Sequence, residues 1–326
     1  MRVMRAAVCR AYGEPESVRI EEIPVPDLGP GQVRVAVRAA AVNFSDVLVV
    51  ADRYQASAPT PFVPGSEFAG VVREVADGVA GVREGDRVVG TGFVGAFAEE
   101  AVVDAAAVTP VPDGVGDQDA AAFGVAHRTA YHVLRSTARL RPDENLVVLG
   151  AGGGVGLAAV QIGAVLGAAV TAVASTEEKL KVAASYGARE LIVHRDADLR
   201  AALRERLPSG ADVVVDPVGG DLSEPALRSL RWGGRFVTVG YASGVIPRIP
   251  LNLVLLKGMH VLGFQFRDFA ARAADEYHRN EEELRGLLAE GRVRPHIQAV
   301  YAFDDAAAAL RHVADGRAIG KIVLRL

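Results

Sequence analysis

The stretch Leu146-Val147-Val148-Leu149-Gly150-Ala151-Gly152-Gly153-Gly154-Val155-Gly156 decides how the 326-residue chain is read. Its apolar start predicts a buried strand, five glycines follow within seven positions, and Leu157 to Leu166 has the composition of a buried helix. Strand, bare turn and helix together let a pyrophosphate approach the main chain at the positive end of a helix, where the first N–H groups lack intrahelical partners. The spacing is Gly150-x-x-Gly153-x-x-Gly156 and departs from strict G-x-G-x-x-G. A tight turn with close helix packing is the alternative, but the position inside a β-α-β unit favours a dinucleotide. Gly150, Gly152, Gly153, Gly154 and Gly156 are then its loop contacts.

Outward from this loop, residues Asn145 to Thr176 carry no charge, a run long enough in principle to span a membrane. Its glycines argue otherwise, since each costs a helix interior about 1 kcal/mol relative to alanine. The run fits a parallel sheet with both faces covered. Further strands are expected at Val170 to Ala174, Leu191 to Val193, Asp212 to Asp216, Phe236 to Gly240 and His260 to Phe264, with helices between most of them. Thr176 and Asp221 are expected helix N-caps. This alternation predicts an α/β, doubly wound parallel sheet over residues 126–265. Residues 1–125 have another texture, with valine-rich runs such as Arg34 to Val42, Ala69 to Ala76, Asp86 to Gly90 and Phe97 to Val103 broken by turn residues. They predict a β-rich domain. Residues 266–326 combine a long helical stretch with strands whose sheet the periodicity leaves open.

An acidic residue at the tip of the second nucleotide-domain strand would accept from a ribose 2′-hydroxyl and repel a 2′-phosphate. The tip here reads Ala174-Ser175-Thr176, with Lys179 close behind. Ser175 and Lys179 therefore point to NADPH, although Thr176 and Lys179 also fit a plain capped helix. The formal charge of −4 offers no field for a nucleic acid. Cys9 is the sole cysteine, which excludes an intramolecular disulfide and any zinc site built from several thiolates. With no export signal in the first residues, the expected location is the cytoplasm, with no membrane partner.

Several segments in order carry a resemblance: Ala41-Val42-Asn43-Phe44-Ser45-Asp46, Pro64-Gly65-Ser66-Glu67-Phe68-Ala69-Gly70, Glu84-Gly85-Asp86-Arg87-Val88, Thr129-Ala130-Tyr131, the glycine loop, Asp216-Pro217-Val218-Gly219-Gly220, Val239-Gly240-Tyr241-Ala242-Ser243-Gly244 and Gly320-Lys321-Ile322-Val323-Leu324. Through them the chain resembles the zinc-independent quinone oxidoreductase branch of the medium-chain dehydrogenase/reductase superfamily over nearly its whole length. The resemblance implies a GroES-like catalytic domain formed by residues 1–125 and 266–326, a Rossmann nucleotide domain inserted between, an interdomain active site and a homodimer. Zinc-dependent cousins carry metal ligands where this chain has Asn43 and Ser66, and neither amide nor hydroxyl is a usual zinc ligand. No metal is expected.

The implied activity is hydride transfer from NADPH to a small quinone or related conjugated carbonyl, of NADPH:quinone oxidoreductase type. The cofactor brings the hydride, so the protein has to bind, orient and exclude water. The resemblance places Asn43, Asp46 and Tyr54 at the reaction, with Asn43 and Thr129 also at the cofactor. Asn43 would hydrogen-bond the reduced oxygen or the cofactor, and Tyr54 would donate the accompanying proton. Asn43 and Asp46 equally fit a turn after a strand, and Tyr54 a half-buried aromatic. Some relatives carry a tyrosine where Leu48 stands. The resemblance adds Gly153, Val155, Ser175 and Lys179 on the nucleotide side, with Tyr241, Phe264 and Phe266 at the nicotinamide end. Relatives often carry a tyrosine where His194 stands; His194 or the adjacent Arg195 would face the adenosine phosphate, and His194 equally fits a surface histidine. Ser66 and Asp216 read as structural. Two alternatives stay open: reduction of 2-enoyl thioesters such as enoyl-coenzyme A, and non-catalytic NADPH binding.

Overall fold

The computed structural model describes residues 2–195 and 197–326 and divides into two compact units, one of residues 1–125 with 294–326 and one of residues 126–293. In the first unit, the long strand Gln32–Val42 is buried along most of its length and organises a seven-stranded sheet. It pairs antiparallel with Glu67–Val75 and with Glu100–Asp104. The tail joins the same sheet: Lys321–Arg325 runs antiparallel to Gln32–Val42 and carries Ile297–Ala302 parallel on its other side. The strands that periodicity left unassigned thus complete the GroES-like domain. Val33, Val35, Val37, Phe68, Phe97, Leu310 and Ile322 form the centre of its core.

The second unit holds a six-stranded, all-parallel sheet. Across it the strands are Ala188–Val193, Ala169–Ala174, Asn145–Leu149, Ala211–Asp216, Leu230–Thr238 and His260–Gly263. Chain order reverses between Asn145–Leu149 and Ala211–Asp216, so the glycine loop leaves the sheet at the switch point, where ligands of such sheets bind. Val147, Leu149, Val173, Val214 and Phe236 lie in a fully apolar core. Such burial on both faces explains why charge is absent from the first strands.

The second unit also takes residues 266–293, which the sequence reading grouped with the tail. Side-chain chemistry explains the difference. In the helix Ala274–Ala289, Glu281 accepts from Arg128, and Asn280 donates to Ser136 at 2.7 Å. Thr176 caps its helix as expected, accepting from the Lys179 N–H at 3.3 Å. Asp221 does not. It lies in a 3-10 turn ahead of the helix Ser223–Arg228, and the Ser223 hydroxyl instead donates to Asp216 at 2.6 Å.

Candidate functional site

In the first unit, Asn43 ends the strand Gln32–Val42 and stands at the N-terminus of the helix Phe44–Val50. The Asp46 carboxylate accepts from the Asn43 N–H at 2.8 Å and stabilises the turn. The Asn43 side chain is engaged separately: Oδ1 accepts from Lys321 Nζ at 2.5 Å, while Nδ2 donates to Glu67 Oε1 at 2.8 Å and to Ser66 Oγ at 3.3 Å. Lys321 and Glu67 close the group with a 2.7 Å ion pair. All five side chains are buried, none more than 9% exposed. Burial pushes the Asp46 carboxyl up to about 7; the Asn43 N–H, the Ser66 hydroxyl and the Lys321 charge work against the rise, and Glu67 adds to it.

This geometry changes the expected part of Asn43. Both amide hydrogens are directed at protein acceptors, and Oδ1, which accepts from Lys321, also faces the Asp46 N–H in a capping box, so the side chain is engaged within the protein at both ends. Asn43, Asp46 and Ser66 do come together, with Ser66 joining the polar group it was expected only to scaffold. Tyr54 stands apart in its contacts, stacked on Phe93 with ring centroids 6.2 Å apart. Among the described residues, no hydrogen bond ties its hydroxyl to the Asn43 group.

Glu67 and Lys321 had no assigned part. Their signal was present: each is a charge heading an apolar run, Glu67 before residues 68–72 and Lys321 before residues 322–324, a pattern that burial permits when opposite charges meet.

In the second unit, Gly150 adopts φ +61°, and Gly156 packs so closely that a Cβ on it would lie 2.1 Å from the Gly150 oxygen. The helix Gly154–Val165 starts with no side-chain cap, so its first N–H groups, including those of Gly154 and Val155, are available to an anion. A Cβ at Gly153 would meet nothing nearer than the Gly150 oxygen at 3.5 Å, which leaves this side of the loop open. Lys179 lies against Gly152, whose Cβ would fall 2.5 Å from that of the lysine.

Ser175 follows the strand Ala169–Ala174, and His194 is fixed beside it by an N–H to Ala174 oxygen bond of 3.0 Å. Burial lowers the Lys179 and His194 pKa values; Arg195 lowers both further, and Lys179 also acts on His194. Lys179, His194 and Arg195 therefore share one local field, with Lys179 against Gly152 of the glycine loop.

The remaining cofactor candidates divide. Tyr241 is 39% exposed and overlies Gly219, in the loop where Asp216 accepts from the Val218 and Gly219 N–H groups at 2.8 Å. Thr129 is half-buried on the helix Asp117–His132. Phe264 and Phe266 pack around the fully buried His132, whose Nε2 lies 2.8 Å from Glu281, and the Arg128 guanidinium sits 4.9 Å over the Phe266 ring. This aromatic and charged cluster was not expected from sequence. Among the described residues, no group of three or more His, Cys, Asp or Glu is placed to hold a metal ion.

A β-rich GroES-like unit and an inserted parallel-sheet unit with a glycine phosphate loop define a dinucleotide-dependent dehydrogenase or reductase architecture. Family comparison agrees: residues 29–113 match the alcohol dehydrogenase GroES-like domain and residues 154–282 the zinc-binding dehydrogenase model. The chain is 36% identical to quinone oxidoreductase-like protein 2 of Rattus norvegicus over 99% of its own length and 92% of that protein. It is 38% identical, over 91% of its length, to a segment making up 5% of a polyketide synthase of Streptomyces halstedii. Escherichia coli quinone oxidoreductase complexed with NADPH superposes with a TM-score of 0.90 at 28% identity, covering 99% of each chain. The chain belongs to the medium-chain dehydrogenase/reductase superfamily, among its quinone oxidoreductase-like oxidoreductases.

Proposed function

We propose that the protein is a metal-free, NADPH-dependent reductase of quinones or related conjugated carbonyls. The observation that carries the cofactor assignment is the basic group Lys179, His194 and Arg195 beside the glycine loop, with Ser175 at the strand tip where an NAD-selective carboxylate would stand. The open side of the loop and the uncapped helix N-terminus fit a pyrophosphate. When bound, the reduced nicotinamide supplies a hydride with its two electrons. The chain's own residues hold the dinucleotide and orient the acceptor, and Asp46 can hold a proton near neutral pH. The likeness to the E. coli quinone oxidoreductase supports the acceptor class.

Metal independence rests on donor chemistry. The group at Asn43 holds an amide, a hydroxyl and two carboxylates, but the Lys321 ammonium already occupies the place of a cation, 2.5 Å from Asn43 Oδ1 and 2.7 Å from Glu67, and repels a second one from those oxygens. The polyketide synthase match favours a second reading, reduction of a 2-enoyl thioester. The test is NADPH oxidation by chelator-treated protein with matched quinones and 2-enoyl-coenzyme A esters, repeated with NADH. Turnover of quinones supports the first reading, turnover of esters alone the second, and NADPH binding without turnover a non-catalytic protein.

A homodimer is part of the same proposal. His260–Gly263 is an edge strand, and Val261, Leu251, Leu255 and Leu256 near it are exposed by 46%, 78%, 79% and 67%. Equilibrium sedimentation tests it. The lone cysteine supports a reducing compartment such as the cytoplasm. Among the described residues no helix is long and apolar enough to cross a membrane.

A further inference from the structure

Lys321 and Glu67 have no part in the hydride transfer just described, yet they sit against its Asn43 group. The pair is buried, with side chains 3% and 1% exposed, and such a pair is weak evidence for stability because well-packed apolar residues often serve as well. What distinguishes this one is its hold on a single amide. The Asn43 carbonyl end faces the Lys321 ammonium at 2.5 Å, and the amino end faces the Glu67 carboxylate at 2.8 Å. A flipped amide would set donor against donor and acceptor against acceptor. The other Glu67 oxygen accepts from the Val125 N–H at 2.6 Å, and a Cβ on Gly124 would come within 2.8 Å of that oxygen. The Glu67 end of the clamp is thus fixed from residues 124 and 125, and the Lys321 ammonium also reaches the Val42 oxygen at 3.5 Å.

Lys321 and Glu67 pair with each other at 2.7 Å, and Asp46 is the third ionisable side chain of the group. Asp46 is the one charged residue on the helix Phe44–Val50. It is faced by the Asn43 N–H and the Ser66 hydroxyl, by Lys321 from one strand and by Glu67 from another. On the helix Ala306–Ala314, which packs alongside, Arg311 is turned to Glu14 and Glu16 and His312 to Tyr301.

We propose that Lys321 and Glu67 are positioning residues, an ammonium–carboxylate clamp that fixes the Asn43 amide in the orientation the reduction needs. Their place in catalysis rests on the reading that Asn43 and Asp46 serve the reduction. The two clamp charges act on Asp46 in opposite senses, and because Asp46 serves the reduction in this reading, removing them one at a time moves the pH profile of kcat/KM in opposite directions as well, which a purely structural ion pair would not do.

The experiment follows stability against pH in the full chain, alongside the pH profile of kcat/KM with NADPH and a quinone. The folded Asp46 value is raised from 3.8 to about 7, so the contribution of Asp46 to stability is full below the lower value and is lost as pH rises through the upper one, read as the difference between wild type and Asp46→Asn. Lys321→Met is expected to move the upper end of this decline to higher pH by roughly one unit, Glu67→Gln to lower pH by a similar amount, and Asp46→Asn to flatten it. Lys321→Arg keeps the charge and is expected to restore the wild-type profile. Shifts in the same direction, or a decline that survives Asp46→Asn, would overturn the proposal. If Lys321→Met does not fold, the near-isosteric Glu67→Gln decides alone, and an unmoved profile counts against the clamp. A folded wild-type protein that reduces no acceptor removes the catalytic reading, while the stability titration still judges the clamp.

Discussion

The two polar sites of this molecule are built from different material. The glycine loop in residues 126–293 is made of backbone: the six positions proposed to meet a phosphate fall within Gly150 to Gly156, and the groups they offer are main-chain N–H groups. The Asn43 group in the other unit is made of side chains from two strands, a short helix and the residues Asn43 and Ser66 beside them, with partners 278 positions apart in sequence. A backbone site needs small residues at fixed local spacing and is insensitive to what lies elsewhere in the chain. A side-chain site depends on every partner, so losing one leaves the others buried and unsatisfied.

This contrast predicts the largest effect at Glu67. Glu67→Ala strands the Lys321 ammonium in a site 3% exposed and removes the acceptor of Asn43 and Val125. Loss of about 3 to 5 kcal/mol in denaturant unfolding is expected. A loss below 1 kcal/mol would mean that the side-chain site tolerates a missing partner as readily as a surface pair does.

Gly156→Ala tests the backbone site next. The added methyl would stand 2.1 Å from the Gly150 oxygen, so the helix start must shift away from the loop. About 1 to 3 kcal/mol of stability is expected to go with the overpacking. NADPH binding, followed by fluorescence, is expected to weaken at least as much, because the same shift moves the phosphate donors. Unchanged affinity in a folded variant would remove the loop from the cofactor site.

Legibility follows the same division. The loop could be read because glycine spacing and an apolar strand and helix are local features, and the six parallel strands fall within a few residues of their expected places. Asn43, Asp46 and Ser66 could be picked out only as members of quoted segments, and their contacts needed the fold. Glu67 and Lys321 lay inside those segments without a role, because no local rule joins residue 67 to residue 321; register in the sheet does. Residues 266–293 were misplaced for a like reason, since helical periodicity says nothing about partners such as Arg128 and Ser136.

Lys179 sharpens the comparison within the nucleotide unit, where side chains supplement the backbone. Lys179→Ala is expected to lower NADPH affinity by about 1.5 to 3 kcal/mol, the range for a charged hydrogen bond, while barely changing NADH. The readout is the ratio of the two dissociation constants. An equal loss for both cofactors would place the lysine at the pyrophosphate and take the 2′-phosphate from this cluster.

The smallest expected effect lies at His194 and concerns pH. Burial, then Arg195 and Lys179, lowers its pKa, so the imidazole is largely neutral at pH 7 in the free protein. A 2′-phosphate among these groups would stabilise the imidazolium and raise that pKa, so binding would take up a proton. NADH carries no phosphate there and would not. The ratio of NADPH to NADH affinity is therefore expected to rise two- to five-fold between about pH 7.5 and 6, an exposed-pair magnitude of up to 1 kcal/mol. At still lower pH the phosphate itself loses charge, which caps the gain. His194→Gln is expected to flatten the rise without abolishing binding, and calorimetry in buffers of different ionisation enthalpy would show the proton uptake disappear. A flat wild-type ratio would turn the imidazole away from the phosphate. The backbone loop, having nothing to titrate, should bind the pyrophosphate of both cofactors equally across this range, so any pH dependence of the ratio reports the side chains alone.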